Sequence, residues 1–210
     1  MKMKQFYEIY KRVNEKFGGS EDLENIFKKL LSLNKASIVN SSHLVLELIL
    51  SAYLVNKGFK VYTEVEVPGG ITDIYAIKGV DMSIEVETGY VPPTNIFLAE
   101  EYLMSRIASK TVRYSNIAQQ FYIAVPSFYI PPIPKELLVN PERRSESDVR
   151  KIMMLIRKYT KSPDITLNDV KVCRLNGIIT INTKNLDIKI IDPKSYLNIE
   201  EFYSNVKENE

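Results

Sequence analysis

Cysteine and histidine are the scarcest reactive residues in this chain of 210, which holds one of each, Cys173 and His43. A lone cysteine excludes an intramolecular disulfide framework and a cysteine-based zinc site. A lone histidine excludes a His-rich metal centre, and Ser–His or Cys–His catalysis would have to run through that one imidazole. On its own, His43 reads as an ordinary residue near a helix end. No stretch approaches the ~20 apolar residues that a membrane-crossing helix needs. The charged segment 1–19 lacks the apolar core of a signal peptide. A surplus of one charge is missing as well: the formal net charge is +2, far from that of a protein gripping nucleic acid by bulk charge. Any polyanion site must therefore be local. The absence of a Gly-rich phosphate loop weighs against an NTPase or a nucleotide-cofactor enzyme, and Gly69-Gly70 reads as a turn. Internal repeats and low-complexity tracts are absent too. These gaps point to a soluble, intracellular (cytoplasmic) protein.

What the chain does have is the composition of a globular domain. It is 45% hydrophobic and 26% charged, which excludes a disordered, collagen-like or coiled-coil chain. Phe6, Ile9, Tyr10 and Val13 recur at helical spacing, and so do Leu23, Ile26, Phe27, Leu30 and Leu31 after the N-cap candidate Ser20. Residues 1–40 thus read as a helical extension packed on the core, split by Gly18-Gly19, and 41–210 as one α/β domain. A helix from Ser41 to about Asn56 is apolar almost all round, as a buried helix is. Within it His43, Glu47 and Ser51 form one narrow polar stripe. A carboxylate in that setting costs several kcal/mol unless it meets a cation, a metal or a polar cavity.

Strand patterns follow at Phe59–Val67, Ile71–Ile77 and Met82–Thr88, the last two read as a hairpin around Gly79-Val80. A helix from about Phe97 to Ile117, a short strand Phe121–Val125 and a capped helix from Ser145 to about Tyr159 come next. Val170–Leu175 and Ile178–Asn182 flank Asn176-Gly177, the strongest short hairpin signal. Leu186–Ile191 offers a further strand, and Asp192-Pro193 starts a last helix with a charged end. The expected architecture is a central mixed β-sheet flanked by helices, with an N-terminal helical extension and a C-terminal β-hairpin and helix.

Chemistry concentrates on the hairpin. Strand alternation places Asp73 with Tyr75 on one strand, and Ser83, Glu85 and Glu87 together on the next. An odd-numbered turn puts Asp73 opposite Glu85 or Glu87, with all three carboxylates on one face. Opposed side chains stand about 4.5–5.5 Å apart at Cβ, where like charges destabilise the pair. Such a cluster asks for a cation, and oxygen ligands suit Mg²⁺.

A helix bearing Glu47, a strand with Asp73, then Glu85-Val86-Glu87, a helix and a strand resemble the PD-(D/E)XK nuclease superfamily, over Ser41 to Val125. The layout is most similar to the Holliday-junction resolvase and restriction-endonuclease-like branch, including small members from archaea and their viruses. The resemblance implies a restriction-endonuclease-like fold and Mg²⁺-dependent hydrolysis of DNA phosphodiesters, with Mn²⁺ as a substitute ion. It makes Asp73 and Glu85 metal ligands, Glu47 the first-helix acid and the Val86 carbonyl an extra ligand. Resolvases of this kind cut symmetric DNA as dimers, so a homodimer is implied as well. Where Glu87 stands, family members usually carry lysine. Glu87 could accept a proton from the attacking water or help to hold a second metal. Lys110, reaching from the next helix, could replace the missing lysine. Arg106, Lys110 and Arg113 lie on one side of that helix and form a candidate DNA-phosphate grip. The competing readings are a catalytically inactive DNA-binding module of the same fold, an acidic pocket serving another reaction, and an oligomerising scaffold.

Overall fold

The computed structural model describes residues 3–35, 40–160 and 164–199. Its centre is a six-stranded mixed sheet, built in chain order from β1 (Lys60–Val67), β2 (Gly70–Lys78), β3 (Val80–Val86), β4 (Gln120–Pro126), β5 (Gly177–Ile181) and β6 (Ile188–Ile191). The β1–β2, β2–β3 and β5–β6 pairs are antiparallel, while β3–β4 and β4–β5 are parallel. Parallel neighbours need crossovers, and helices supply them.

Alternation along the strands sorts the core into two halves. Ile74, Ala76, Ile84, Val86, Ala124 and Ile179 face a helical layer made of α1 (Met3–Phe17), α2 (Glu21–Lys35) and α3 (Ser41–Asn56). Phe121, Ile123, Val125 and Ile178 face the other way, against α4 (Ala99–Tyr114), α6 (Glu146–Tyr159) and α7 (Leu167–Val172). The short helix α5 (Lys135–Leu138) adds Leu137 to that second half. Between β3 and α4 the chain makes a 3₁₀ turn, Pro93–Leu98, so the helix expected from Phe97 begins at Ala99 and ends at Tyr114 rather than Ile117. α3 is buried along its length, as its all-round apolar sequence predicts, because α1 and α2 cover the side that the sheet does not. None of the described helices is long and apolar enough to cross a membrane.

The β2–β3 turn is as tight as it can be. Lys78 pairs with Val80 across Gly79, whose φ of +74° is the left-handed region that glycine tolerates. The register Ile74↔Ile84 and Tyr75↔Ser83 puts Asp73 opposite Glu85, the first of the two expected alternatives.

The C-terminal third departs from expectation. Residues Val170–Leu175 form no strand: Leu167–Val172 is helix α7, opened by a reciprocal Thr166–Asp169 capping box. Asn176-Gly177 consequently turns no hairpin. The Asn176 N–H donates to the Phe121 carbonyl (2.8 Å), and its side chain accepts from the Phe121 N–H (2.9 Å), pinning the start of β5 beside β4. Gly177 is needed there for closeness: an added Cβ would meet the Ile191 carbonyl at 2.8 Å. The hairpin at this end is β5–β6, one strand later than expected. Residues 193–199 form the expected last helix, whose charged end falls in 200–210, outside the described residues.

Candidate functional site

The site gathers where two ladders lapse. In β1–β2, Thr63 pairs with Ile74 and Val65 with Thr72, while Glu64 and Asp73 are left out. Glu64 has a φ of +48°, a left-handed conformation rare for a residue with a long side chain. On the other side the β2–β3 ladder begins at Ile74. Carboxylates take over the freed backbone: the Asp73 N–H donates to Glu85 Oε1 (3.1 Å), and the Val86 N–H donates to Asp73 Oδ2 (2.6 Å). The Thr72 and Ser83 hydroxyls share a hydrogen bond of 2.8 Å beside them.

Two helices reach Asp73 from opposite layers. From α3, His43 Nε2 lies 3.3 Å from Asp73 Oδ1 and 3.9 Å from Glu47 Oε2. From α4, Lys110 Nζ donates to the Val86 carbonyl (2.8 Å) and lies 3.3 Å from Glu85 Oε2 and 3.5 Å from Asp73 Oδ2. One carboxylate therefore faces an imidazole with one oxygen and an ammonium with the other.

Electrostatics separates the acids. Burial alone would raise Asp73, but the Lys110 charge, the hydrogen bond and charge of His43 and the Val86 N–H outweigh it, holding the carboxyl at about 2. Glu85 is pushed up to about 7, by burial first and the Asp73 charge second, with Lys110 opposing. Burial would lower Lys110, yet Asp73, Glu85 and Glu87 raise it well above its ordinary value, so it stays an ammonium. Glu47 is fully buried, neither of its oxygens has a hydrogen-bond partner, and burial with the charges of Asp73 and Glu64 raises it well above the usual carboxylate range. This is the environment in which titrating groups acquire distinct roles.

Of the expected residues, Asp73, Glu85, Lys110 and the Val86 carbonyl converge. Glu47 sits behind His43. Glu87 stands apart: its Oε1 accepts from the Thr88 and Gly89 N–H groups (3.1 and 3.3 Å), and its Oε2 pairs with Arg106 (3.1 Å). The three cations of α4 all have partners inside the chain, since Arg113 donates to the Gly69 carbonyl. Two contributors were not expected, His43 and Glu64. With Asp73 they form a group, each offering one ligand atom within 4.8 Å of the others, that could hold a metal ion. The polar stripe on α3 was the visible signal for His43. Glu64 had none, because the β1–β2 register that sets it opposite Asp73 is not written in the sequence.

No protein-family model matches the chain, and neither does any curated protein or solved structure.

Proposed function

We propose that this chain is a metal-dependent deoxyribonuclease, an endonuclease that hydrolyses DNA phosphodiesters and acts on a particular DNA structure such as a junction. The fold reading that goes with it is a restriction-endonuclease-like sheet of the PD-(D/E)XK type. The observation that carries the proposal is the Asp73 carboxylate, held between the Lys110 ammonium on one oxygen and the His43–Glu64 ligand group on the other. The resemblance implies Mg²⁺, with Mn²⁺ as a substitute, between Asp73, Glu85 and the Val86 carbonyl. Those oxygens already converge on Lys110 Nζ, so that position does not fit a second cation as it stands. The neighbouring donors His43, Glu64 and Asp73 do fit: an ion held by them would supply Lewis acidity and acidify a bound water.

The chain's own groups account for the remaining needs of the reaction. Lys110 is a fixed positive charge for a phosphate whose oxygens gain charge in the transition state. Glu85, pushed up to about 7, has the proton affinity of a general base at neutral pH. Glu87, held by two N–H groups and Arg106, orients α4 against the end of β3. The test is incubation of duplex, single-stranded and four-way-junction DNA with Mg²⁺ or Mn²⁺. Cleavage is expected, and Asp73→Asn and Lys110→Met should each reduce it at least about a hundredfold, the scale of one electrostatic group. Full cleavage by Asp73→Asn would refute the assignment.

A second reading has its own observation. A lysine filling the carboxylate cage also suits a DNA-binding module that has lost catalysis. Retention of DNA without cleavage under either ion would select that reading, and neither retention nor cleavage would end both.

A further inference from the structure

Two cation positions share Asp73, and they differ in chemistry. The first is made of oxygens alone, from Asp73, Glu85 and Val86, and Lys110 Nζ lies 2.8–3.5 Å from them. A divalent ion entering that cage would be pressed against the ammonium. The second position, at Asp73 Oδ1, has no lysine in it. It joins two carboxylates to the imidazole of His43.

The spacing suits ligation. Two atoms bonded to one ion at about 2.1 Å stand about 3.0–3.4 Å apart in octahedral or tetrahedral geometry. His43 Nε2 and Asp73 Oδ1 are 3.3 Å apart. Glu64 joins them from the gap in the β1–β2 ladder opposite Asp73, its ligand atom within 4.8 Å of the other two. An independent observation lies behind the imidazole. Glu47, 0% exposed, has no hydrogen-bond partner on either oxygen, and Oε2 is 3.9 Å from His43 Nε2. A buried carboxyl group with no hydrogen-bond partner is costly, and a dipositive ion beside His43 would favour its ionised form.

We propose that His43, Glu64 and Asp73 bind a divalent transition-metal ion of the Mn²⁺, Fe²⁺ and Zn²⁺ group in preference to Mg²⁺, while Lys110 keeps the all-oxygen position as a built-in monovalent cation. The nitrogen donor decides the selectivity. Imidazole suits Fe²⁺ and Zn²⁺, and Mn²⁺ accepts it beside carboxylates, whereas Mg²⁺ needs near-ideal octahedra of oxygen and gives up its waters reluctantly. Metal binding here does not rest on the nuclease reading and is measured without DNA.

The experiment uses the 210-residue chain stripped of metal and titrated separately with Mn²⁺ and Mg²⁺ by calorimetry, with pulsed EPR on the Mn²⁺ form. Because the chain has one histidine, coupling of Mn²⁺ to a directly bonded imidazole nitrogen identifies His43 without any substitution. One Mn²⁺ per chain is expected, bound at least about tenfold more tightly than Mg²⁺, with that nitrogen coupling present. His43→Gln and Glu64→Gln should each weaken Mn²⁺ by about 10–100-fold, and His43→Gln should leave Mg²⁺ unchanged. The proposal is overturned if the bound Mn²⁺ shows no imidazole nitrogen, if Mg²⁺ binds as tightly, or if Glu85→Gln abolishes Mn²⁺ binding and His43→Gln does not. The EPR signature is read on the unsubstituted protein, so it decides for or against His43 even where a variant fails to fold.

Discussion

Asp73 owes its environment to two backbone pairings that do not form. Regular pairing on both sides would have tied its N–H to a neighbouring carbonyl and left its side chain against a flat sheet. Instead the gap opposite Glu64 opens a route to His43 on one side and to Lys110 on the other. The resulting charges set opposite pH windows. Asp73 is lowered to about 2, so its contribution to stability is present above the ordinary carboxyl range and fades as pH falls towards 2. Glu85 is raised to about 7, so its contribution is complete below its ordinary value and is lost as pH rises through 7. Metal-free protein should therefore show a urea midpoint that declines between about pH 5 and 7 and levels off above the Glu85 titration, and Glu85→Gln should make that decline shallower. A decline just as steep in Glu85→Gln would mean that another group titrates. Lys110→Met leaves two buried carboxylates without their cation, for an expected loss of about 3–5 kcal/mol in metal-free urea unfolding. Added Mg²⁺ should restore part of that loss in the variant, whose oxygen cage is then open, and should do less for the parent. Most of this site could be read from the chain, because acids in apolar strands stand out against their neighbours. Glu64 could not, since neither its φ of +48° nor the gap in the β1–β2 ladder leaves a mark on the residues flanking it.

The C-terminal elements show the same limit on a larger scale. Asn176-Gly177 carries the composition of a two-residue turn, yet there the asparagine bonds to Phe121 and the glycine makes room for Ile191. Both demands come from strands far away in sequence, so local propensity misleads. Val170–Leu175 has strand-like apolar content, but the Thr166–Asp169 capping box starts a helix just before it and Arg144 collects its end. Arg144 is buried and donates to five carbonyls: Glu136, Leu137 and Val139 around α5, and Val170 and Cys173 at the close of α7. No motif marks it, because its partners are backbone atoms that any sequence possesses. Arg144→Met would leave several buried acceptors unsatisfied, at about 1–3 kcal/mol each when water cannot reach them. The expected net loss, about 3 kcal/mol or more, is measurable by urea unfolding at neutral pH. Arg144→Lys should recover only a fraction, because a compact ammonium with three donors cannot span carbonyls spread over two helices. Equal stability of Arg144→Lys and the parent would show that the charge, rather than the fork of the guanidinium, is what matters.

At the scale of the molecule, the N-terminal helices complete a layer. Phe6, Leu23 and Leu30 are fully buried, and they share a core with Leu44 and Leu48 of α3 and Ile74 and Ile84 of the sheet. The Phe27 ring stacks on Phe6 and Tyr10, at 5.5 and 4.0 Å between centroids. α2 also touches the His43–Glu64–Asp73 group from behind, where Lys29 donates to the Thr63 carbonyl and to that of Glu64 (3.2 Å) at the left-handed bend. Arg12 and Lys16 of α1 reach the loop between β5 and β6, donating to the carbonyls of Lys184 and Asn185. A helix as apolar as α3 cannot face water on the side that these two helices cover, so residues 41–210 should not fold without them. A chain starting at Asn40 is expected to aggregate or to show collapsed amide dispersion in NMR spectra, and a well-dispersed monomer would contradict that dependence. In the intact chain, Leu30→Ala should cost about 2–5 kcal/mol, the range for emptying a buried leucine site. The far-UV signal, dominated by helices, and the near-UV signal of the tyrosines should still fall in one transition, because the layer and the sheet share their core. Two separated transitions, with the helical signal lost first, would instead make α1 and α2 an appendage. Because Lys29 of the same helix donates to the Glu64 carbonyl, a shift of α2 in the folded Leu30→Ala variant should weaken Mn²⁺ binding although Leu30 offers no ligand.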